Sequence, residues 1–222
     1  GSKGVPRKNV RLLNGRPVIG YVIEAARSAQ TVDHVVVSTD DEEIAEVAVN
    51  VGADVVWRPP ETASDTAPID LSLRHALREL QKTKGEFSLV AWLQANVPTT
   101  KGQVVDQAVQ LMFDKPDTSA VQTVVPYKIP PQWAWNLDND VMVEMEGCYS
   151  YTVLRQQTKQ AYHADGSVIV MRSSILLDSE GLGGQAYLGN KRRAIVQDPL
   201  ESVEIDDMVD LKFCEYLFSE KL

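Results

Sequence analysis

Residues 34–59 read HVVVSTDDEEIAEVAVNVGADVVWRP and contain the pattern that decides the fold. The three valines at 35–37 form a β-branched run, which favours a short strand ending at the polar residues 38–40. Apolar residues then recur at helical spacing until Gly52, a residue type that commonly follows the end of a helix. A second brief strand is predicted from Asp54 to Trp57. A strand, a helix and a second strand with short connections indicate a parallel βαβ unit.

The same alternation extends in both directions from this unit. The apolar run from Phe87 to Leu93 is typical of a strand buried on both faces of a parallel sheet. Further helices are predicted near 17–30, 69–80, 104–111 and 207–218, and further strands near 120–125, 166–171, 194–196 and 202–205. We therefore predict one α/β domain over residues 1–222, with an open, mostly parallel sheet and helices on both faces.

The regular pattern stops between about residues 127 and 165. Prolines, two tryptophans and a run of polar residues interrupt any helix there, and one short strand is predicted from Val141 to Met145. We interpret this segment as an inserted hairpin or flap.

Composition and charge exclude several classes of protein. The chain has 222 residues with 22 Lys+Arg and 31 Asp+Glu, which gives a net charge of −9. This charge argues against sequence-independent binding of nucleic acid, because such binding needs a broad basic face. The first sixteen residues nevertheless contain no acid and five cations, which are Lys3, Arg7, Lys8, Arg11 and Arg16. A small cationic segment on an acidic body suits a compact polyanion, although a solvated basic N-terminus is an equally good interpretation.

The cysteines and the hydropathy pattern indicate a cytoplasmic protein. Cys148 and Cys214 match no metal or redox spacing, and so few cysteines fit a reducing compartment. We interpret both as small buried apolar residues. We expect no membrane span, because no apolar stretch approaches eighteen residues, and we find no signal-peptide pattern.

Several well-known catalytic motifs do not occur. The sequence contains no G-x-G-x-x-G, no G-x-x-x-x-G-K-[ST], no H-E-x-x-H and no G-x-S-x-G. Dehydrogenase, P-loop, zincin and α/β-hydrolase activities therefore lose their main support.

Two short segments contain residues that suit a phosphate and a metal ion. Residues 1–9, GSKGVPRKN, combine glycines, a serine and two lysines before the first predicted helix, which suits a phosphate cradle, although a flexible tail has a similar composition. In Glu204-Ile205-Asp206, strand alternation places both carboxylates on one face, where they could hold Mg²⁺. The alternative is a solvated edge of the sheet.

These segments belong to an ordered series of motifs that spans nearly the whole chain. The series is Gly-Ser-Lys-Gly-x-Pro-x-Lys-Asn at 1–9, Val-Ser-Thr-Asp-Asp-x-x-Ile-Ala at 37–45, Gly-Ala-Asp-Val-x-x-Arg-Pro at 52–59, Pro-Glu-x-x-x-Asp-Thr at 60–66, Leu-Gln at 93–94, Leu-Arg-Gln-Gln at 154–157, Gly-Ser at 166–167 and Glu-Ile-Asp at 204–206. Together these motifs resemble the acylneuraminate cytidylyltransferases, also called CMP-sialic acid synthetases.

The resemblance implies a Rossmann-like nucleotidyltransferase fold and transfer of CMP from CTP to the anomeric hydroxyl of a 2-keto-3-deoxy sugar acid, with release of pyrophosphate. It also implies a Mg²⁺ cofactor, and a homodimer in which the flap closes over the partner's sugar site. By similarity, the expected roles are nucleotide binding by Ser2, Lys3, Lys8, Asn9 and Arg58, sugar binding by Gln94, Asn96 and Asp165, catalysis by Arg155 and Lys8, and metal binding by Glu204 and Asp206.

Three departures from the family pattern leave the acceptor open. Family members usually have a strand before the glycine-rich loop, so a strand is expected before Gly1, and a chain lacking it is expected to fold poorly. The usual loop Gln-x-Thr-Ser-Pro-Leu-Arg is QANVPTT at 94–100, and Kdo cytidylyltransferases carry an acidic metal ligand near Asn96. Asp165 and Glu204 stand where sialic acid enzymes more often have Asn and Asp, respectively. Beside a sugar carboxylate, the Asp165 carboxylate would be repelled unless it were paired, for instance with His163 or Arg155.

Other acceptors therefore remain open: a different nonulosonic acid, Kdo or a sugar 1-phosphate. A degenerate, non-catalytic nucleotide-binding domain is a further alternative.

Overall fold

The computed structural model describes residues 4–63, 67–145, 154, 156 and 158–220. Its strands are β1 (Leu12–Leu13), β2 (Arg16–Pro17), β3 (Val36–Thr39), β4 (Asp54–Trp57), β5 (Leu89–Leu93), β6 (Ala120–Pro126), β7 (Trp135–Asp138), β8 (Val141–Glu144), β9 (Tyr162–Arg172) and β10 (Arg192–Val196). Its helices are α1 (Val18–Ser28), α2 (Glu42–Val51), α3 (Pro60–Ala63), α4 (Ile69–Lys84), α5 (Gly102–Asp114), α6 (Ser173–Asp178) and α7 (Met208–Glu220).

The βαβ unit predicted from residues 34–59 is confirmed. Strands β3 and β4 pair in parallel, and helix α2 connects them. The Asp41 side chain caps α2 by accepting hydrogen bonds from the backbone N–H groups of Glu43 and Ile44 at 2.9 and 3.1 Å. The helix ends at Gly52, whose φ of 89° lies in the left-handed region that glycine adopts without strain.

The largest described sheet has the strand order β10-β6-β9-β5. Helices cover both of its faces, as predicted. On β6, Val121 packs in a core cluster with residues of α5, whereas the adjacent Ala120 packs in a cluster with residues of α4 and α6. Because neighbouring strand residues point to opposite faces, α5 lies on one face of the sheet, and α4 and α6 lie on the other.

Strand β9 runs antiparallel to both of its neighbours, so this sheet is mixed. The predicted α/β class is confirmed, and β5, β6 and β10 share one direction, but no pattern in the sequence indicates the reversal of β9. The insertion explains the reversal. The chain leaves the sheet at Pro126 and returns beside it, since Pro126 and Tyr162 are paired. Because the chain returns to the sheet at the same edge where β6 ends, the next strand, β9, must run antiparallel to β6.

Strand β5 differs from the prediction that it is buried on both faces. All five of its residues are only half-buried. One edge pairs with β9, and residues 89–93 line a cavity of about 1340 Å³ that is also lined by β3, α1 and α4. Among the described strands, β3 pairs only with β4, so β3 and β5 line the same cavity without pairing to each other. The strand expected before Gly1 lies outside the described residues.

Strands β7 and β8 form a separate two-stranded hairpin within the predicted flap segment. Asp138 pairs with Val141, and between them Asn139 adopts a left-handed φ of 55°, as tight hairpin turns require. In the described part of the chain this hairpin pairs with no other strand. The boundaries of the flap as a unit stay a prediction.

Cys214 agrees with the prediction that it is a small buried apolar residue. Cys214 is fully buried in the cluster where α7 meets β1 and α1, and burial raises the pKa of its thiol to about 12, so this cysteine is an inert core residue. Cys148 lies outside the described residues. None of the described helices is both long enough and apolar enough to cross a membrane.

Candidate active site

The cavity beside β3 and β5 brings together most of the predicted site residues. Its lining includes Lys8, Asn9, Arg58, Gln94, Asn96, Glu204 and Asp206. Arg58 directly follows β4, and Gln94 directly follows β5. The site therefore lies at the carboxyl ends of these strands, where ligands bind in open α/β sheets.

Lys8 lies in a 3₁₀ turn over residues 8–10 and provides a cationic group at the site. Its Nζ donates a hydrogen bond to the Asp206 Oδ1 at 3.0 Å, and its side chain is only 16% exposed. Gly4 explains how the N-terminal loop reaches this position, because a Cβ on Gly4 would overlap the backbone carbonyl oxygen of Asp206. In the described residues, this glycine allows a close approach of two backbone segments.

Three of the five cations that are unopposed along the sequence have acidic partners in space. Arg7 has a left-handed φ of 54°, and its Nη2 contacts both Asp41 and Glu43. Arg16 pairs with Glu24 on helix α1. Charge counted along the first sixteen residues therefore overstates the positive charge available to a ligand. Lys8 also has a carboxylate partner, but its position in the cavity allows it to reach a bound anion.

Glu204 and Asp206 converge as the Glu-Ile-Asp pattern predicted. The segment at 202–205 is not a regular strand, but its alternation is preserved: Ile205 is fully buried, and both carboxylates line the cavity. The Ile205 N–H donates to the Asn96 backbone oxygen at 2.8 Å, which holds the segment beside the loop after β5.

Asn96 lies between the two carboxylates. It is 8% exposed, and its Nδ2 donates to the Glu204 Oε1 at 3.1 Å, to the Asp206 Oδ1 at 3.3 Å and to the Ile205 oxygen at 3.2 Å. This amide offsets part of the repulsion between two neighbouring carboxylates. Asn96 was predicted to bind the sugar, and the structure instead places its amide nitrogen among the predicted metal ligands.

Gly166 lies against two of the predicted site residues, a contact that the sequence reasoning missed. A Cβ on Gly166 would overlap the Gln94 Nε2 and lie 3.4 Å from the Glu204 Oε2, and its φ of +74° favours glycine. The backbone of β9 therefore packs directly against the Gln94 side chain. The Gly-Ser pair at 166–167 was part of the family motif and was the available signal.

Asp165 is not among the residues that line the cavity. Its side chain is 5% exposed and accepts hydrogen bonds from the Thr123 hydroxyl at 2.5 Å, the Gln197 Nε2 at 2.7 Å and the Ser167 N–H at 3.0 Å. In this structure the hydrogen-bond partners of Asp165 are thus Thr123, Ser167 and Gln197 rather than His163, and its contact with the sugar stays a prediction. A bulge in β9 turns this carboxylate inward, which an alternating strand pattern does not predict.

The remaining predicted residues divide into two groups. Arg58 is positioned by β3, because its Nη2 donates to the Ser38 backbone oxygen at 2.6 Å. Ser2, Lys3 and Arg155 lie outside the described residues, so their roles stay predictions. No group of three or more His, Cys, Asp or Glu side chains suited to a metal ion is found in the part of the chain that the structure describes.

An α/β sheet with basic, amide and carboxylate groups collected at its carboxyl edge suits an enzyme that binds nucleotides, and the family match identifies the class as nucleotidyltransferase. More narrowly, the chain belongs to the cytidylyltransferase family, since a sequence model of that family matches residues 1–177. The resemblance found in the motifs is thereby confirmed.

Relatives and solved structures agree with this family. The chain is 28% identical to a CMP-N,N'-diacetyllegionaminic acid synthase of Legionella pneumophila, over 98% of this chain and 91% of that protein. It is 29% identical to a pseudaminic acid cytidylyltransferase of Campylobacter jejuni, over 98% and 92% respectively. Among solved structures, a CMP:2-keto-3-deoxy-manno-octonic acid synthetase complexed with CTP has the same fold, with a TM-score of 0.75, 16% identity, and coverage of 100% of this chain and 95% of the other.

Proposed function

We propose that this protein transfers CMP from CTP to the anomeric hydroxyl of a nonulosonic acid, a nine-carbon sugar acid, and releases pyrophosphate. The observation that carries the proposal is the cavity, whose lining includes seven of the predicted site residues: one lysine, one arginine, three amides and two carboxylates. Two anionic substrates must meet in such a reaction, and these groups supply cationic and hydrogen-bonding partners for them. Relatives aligned over nearly the whole chain are named for legionaminic and pseudaminic acids, which supports this class of acceptor.

The reaction requires positioning and charge neutralisation more than covalent chemistry by the protein. The anomeric oxygen forms a bond to the α-phosphorus, the bond from that phosphorus to the departing pyrophosphate breaks, and the hydroxyl proton is released. We assign Lys8, Asn9 and Arg58 to the nucleotide, together with Ser2 and Lys3. Gln94 is assigned to the sugar acid, and Arg155 to catalysis.

Glu204 and Asp206 fit a Mg²⁺ ion. Mg²⁺ prefers oxygen ligands, and it commonly uses only one or two carboxylates together with substrate phosphates. The Lys8 ammonium and the Asn96 amide already lie against these carboxylates, so the pair suits a positively charged partner. When bound, the ion would neutralise negative charge on the phosphates of CTP.

A pyrophosphate-release assay tests the proposed function. CTP, UTP, GTP and ATP are each paired with N,N'-diacetyllegionaminic acid, pseudaminic acid, N-acetylneuraminic acid, Kdo and a sugar 1-phosphate. We expect release with CTP and a nonulosonic acid. Preferred turnover of Kdo or a sugar 1-phosphate would reassign the acceptor. Tight CTP binding in calorimetry without turnover of any pair would instead support a non-catalytic nucleotide-binding domain.

We further propose that the protein forms a homodimer through the hairpin of β7 and β8. The hairpin exposes several large apolar side chains, with exposures of 71% for Leu137 and 52% for Met142. These two residues are directly paired across the strands, so their side chains share one face of the hairpin. Adjacent exposed apolar side chains of this kind are typical of a surface that another protein covers.

Charges on this face are expected to separate the dimer. We predict that the double variant Leu137→Lys, Met142→Lys sediments as a monomer at concentrations where the unmodified chain is a dimer, because dimerisation would bury two lysines. Val49→Lys on α2 is the control, since Val49 is 61% exposed but lies far from the hairpin in sequence. The proposal fails if the unmodified chain is monomeric throughout, or if the double variant remains a dimer.

A further inference from the structure

Strand β9 carries a bulge directly beside the candidate site. Gln122 pairs with Ile169 and Val124 pairs with Ala164, so the single residue Thr123 on β6 faces the four residues 165–168 on β9. The extra residues leave the regular ladder and must be held by other groups. The bulge contains Gly166, whose backbone packs closely against the side chains of Gln94 and Glu204.

Buried side-chain hydrogen bonds hold this bulge. Asp165 accepts from the Ser167 N–H at 3.0 Å inside the bulge, and from the Thr123 hydroxyl at 2.5 Å on the neighbouring strand. The Thr123 oxygen in turn accepts from the Val168 N–H at 3.0 Å. The Gln197 Nε2 donates to the other Asp165 oxygen at 2.7 Å. These contacts replace the ladder hydrogen bonds that the bulge gives up.

A further contact joins the bulge to the loop that carries Gln94 and Asn96. The Ser167 hydroxyl lies 3.0 Å from the Thr100 hydroxyl, and both residues are buried. The bulge therefore touches the loop after β5 at two points, one at Gly166 and Gln94 and the other at Ser167 and Thr100. A shift of the bulge would move the position at which Gln94 presents its amide.

We propose that Asp165 is a positioning residue whose carboxylate, together with Thr123 and Gln197, holds the β9 bulge in place. The fixed bulge places Gly166 against Gln94, and this contact sets the orientation of the Gln94 amide toward the acceptor sugar. This inference rests on the proposed function for the identity of the acceptor. It assigns Asp165 an indirect role, since its buried carboxylate lies outside the cavity lining. Pre-organised contacts of this kind act on the binding and alignment of one substrate.

The chemistry of the network predicts which substitutions it tolerates. In Asp165→Asn, one oxygen can still accept from Thr123 and Ser167, while the new amide donor replaces the oxygen that faces Gln197. The Gln197 Oε1 is buried without a hydrogen-bond partner, so rotation of the Gln197 amide would offer it to that donor. Asp165→Ala removes every acceptor and leaves buried donors unsatisfied.

The test separates positioning from direct contact with the sugar. We expect Asp165→Ala to raise the KM for the acceptor about tenfold, with the KM for CTP changing less than about twofold, and Asp165→Asn to restore values within about threefold of the unmodified protein. A residue that touched the sugar through its charge would be affected similarly by Asn and Ala. Equal losses in both variants, or an unchanged acceptor KM in Asp165→Ala, would therefore overturn the proposal.

Thr123 provides a second pair of variants in case Asp165→Ala fails to fold. Thr123→Val preserves shape but removes the hydroxyl, and it is expected to reproduce the acceptor defect. Thr123→Ser retains the hydroxyl and is expected to be nearly normal. Thermal unfolding of all four variants identifies any that lose their overall fold, and the interpretation requires that the affected variants remain folded at the assay temperature.

Amide hydrogen exchange gives a readout that does not depend on the acceptor. The Ser167 and Val168 N–H groups donate to Asp165 and Thr123, so their exchange is expected to accelerate at least tenfold in Asp165→Ala and to stay slow in Asp165→Asn. If exchange behaves in this way but no acceptor is turned over, the proposed function fails while the network stands. Unchanged exchange in Asp165→Ala would show that the carboxylate does not hold the bulge.

Discussion

Replacing Asp206 with asparagine is expected to lower the turnover number by about 100-fold or more and to raise the Mg²⁺ concentration required for half-maximal activity. Asp206 is the exposed member of the carboxylate pair and contacts both Lys8 and Asn96. The substitution removes a negative charge from the predicted metal site and the ionic partner of Lys8. Loss of one electrostatic contact to a developing charge commonly costs a factor of about 10² to 10³ in catalysis.

The control for this experiment removes a carboxylate of the same charge from a distant surface. Glu215 lies on an exposed position of α7, outside the residues that line the cavity. Glu215→Gln is expected to leave both the turnover number and the Mg²⁺ titration unchanged. A normal Mg²⁺ titration in Asp206→Asn would remove Asp206 from the metal site. A reduced turnover at saturating Mg²⁺ would then have to be explained through its contact with Lys8.

The β3–α2–β4 unit was predictable because local signals agreed with the final packing. The valine run at 35–37, the helical spacing of residues 44–51 and the glycine at 52 each favour the element that forms. The unit also packs internally, since the buried cluster joins α2 to α1 and to residues of β3 and β4. Short-range patterns suffice where neighbouring elements in the sequence are also neighbours in space.

The direction of β9 and the position of Asp165 were not predictable in this way. Both depend on contacts between residues distant in sequence: β9 pairs with β6 after an excursion of 35 residues between Pro126 and Tyr162, and Asp165 is held by Thr123 and Gln197. A hydrophobic pattern identifies a strand but not its direction. It also assumes strict alternation, which the bulge at 165–168 breaks.

The sequence predicted which of the candidate residues lie near one another better than it predicted their contacts. Strand ends and carboxylate spacing placed Gln94, Arg58 and Glu204 correctly in one cavity. The partners of Asn96 and Arg7 could not be read from the sequence, because each binds acidic residues that come from a different part of the chain. Such contacts determine which groups remain available to a substrate.

Filling the apolar part of the cavity with a strand is expected to produce the largest change in stability. Strands β3 and β5 line the cavity without pairing to each other, and apolar side chains of α1 and α4, such as Ile23 and Leu77, line it as well. We predict that an extended segment of about six Val and Ile residues, joined before Gly1, pairs with these strands. Burial of two or three such side chains would raise the free energy of unfolding by about 3–9 kcal/mol, at about 1.5–3 kcal/mol each.

Urea unfolding measures this change, with a flexible Gly-Ser extension of equal length as the matched control. The added strand would also change the surroundings of Trp92, which is a half-buried residue of β5 and lines the cavity. We therefore expect the Trp fluorescence to shift to shorter wavelength with the Val-Ile extension, and this shift should be lost in a Trp92→Phe variant. A version with alternating prolines, which lack the N–H groups needed for pairing, should stabilise much less. Equal unfolding midpoints for the Val-Ile and Gly-Ser extensions would show that the space between β3 and β5 does not accept a strand, because paired and buried residues cannot leave the free energy of unfolding unchanged.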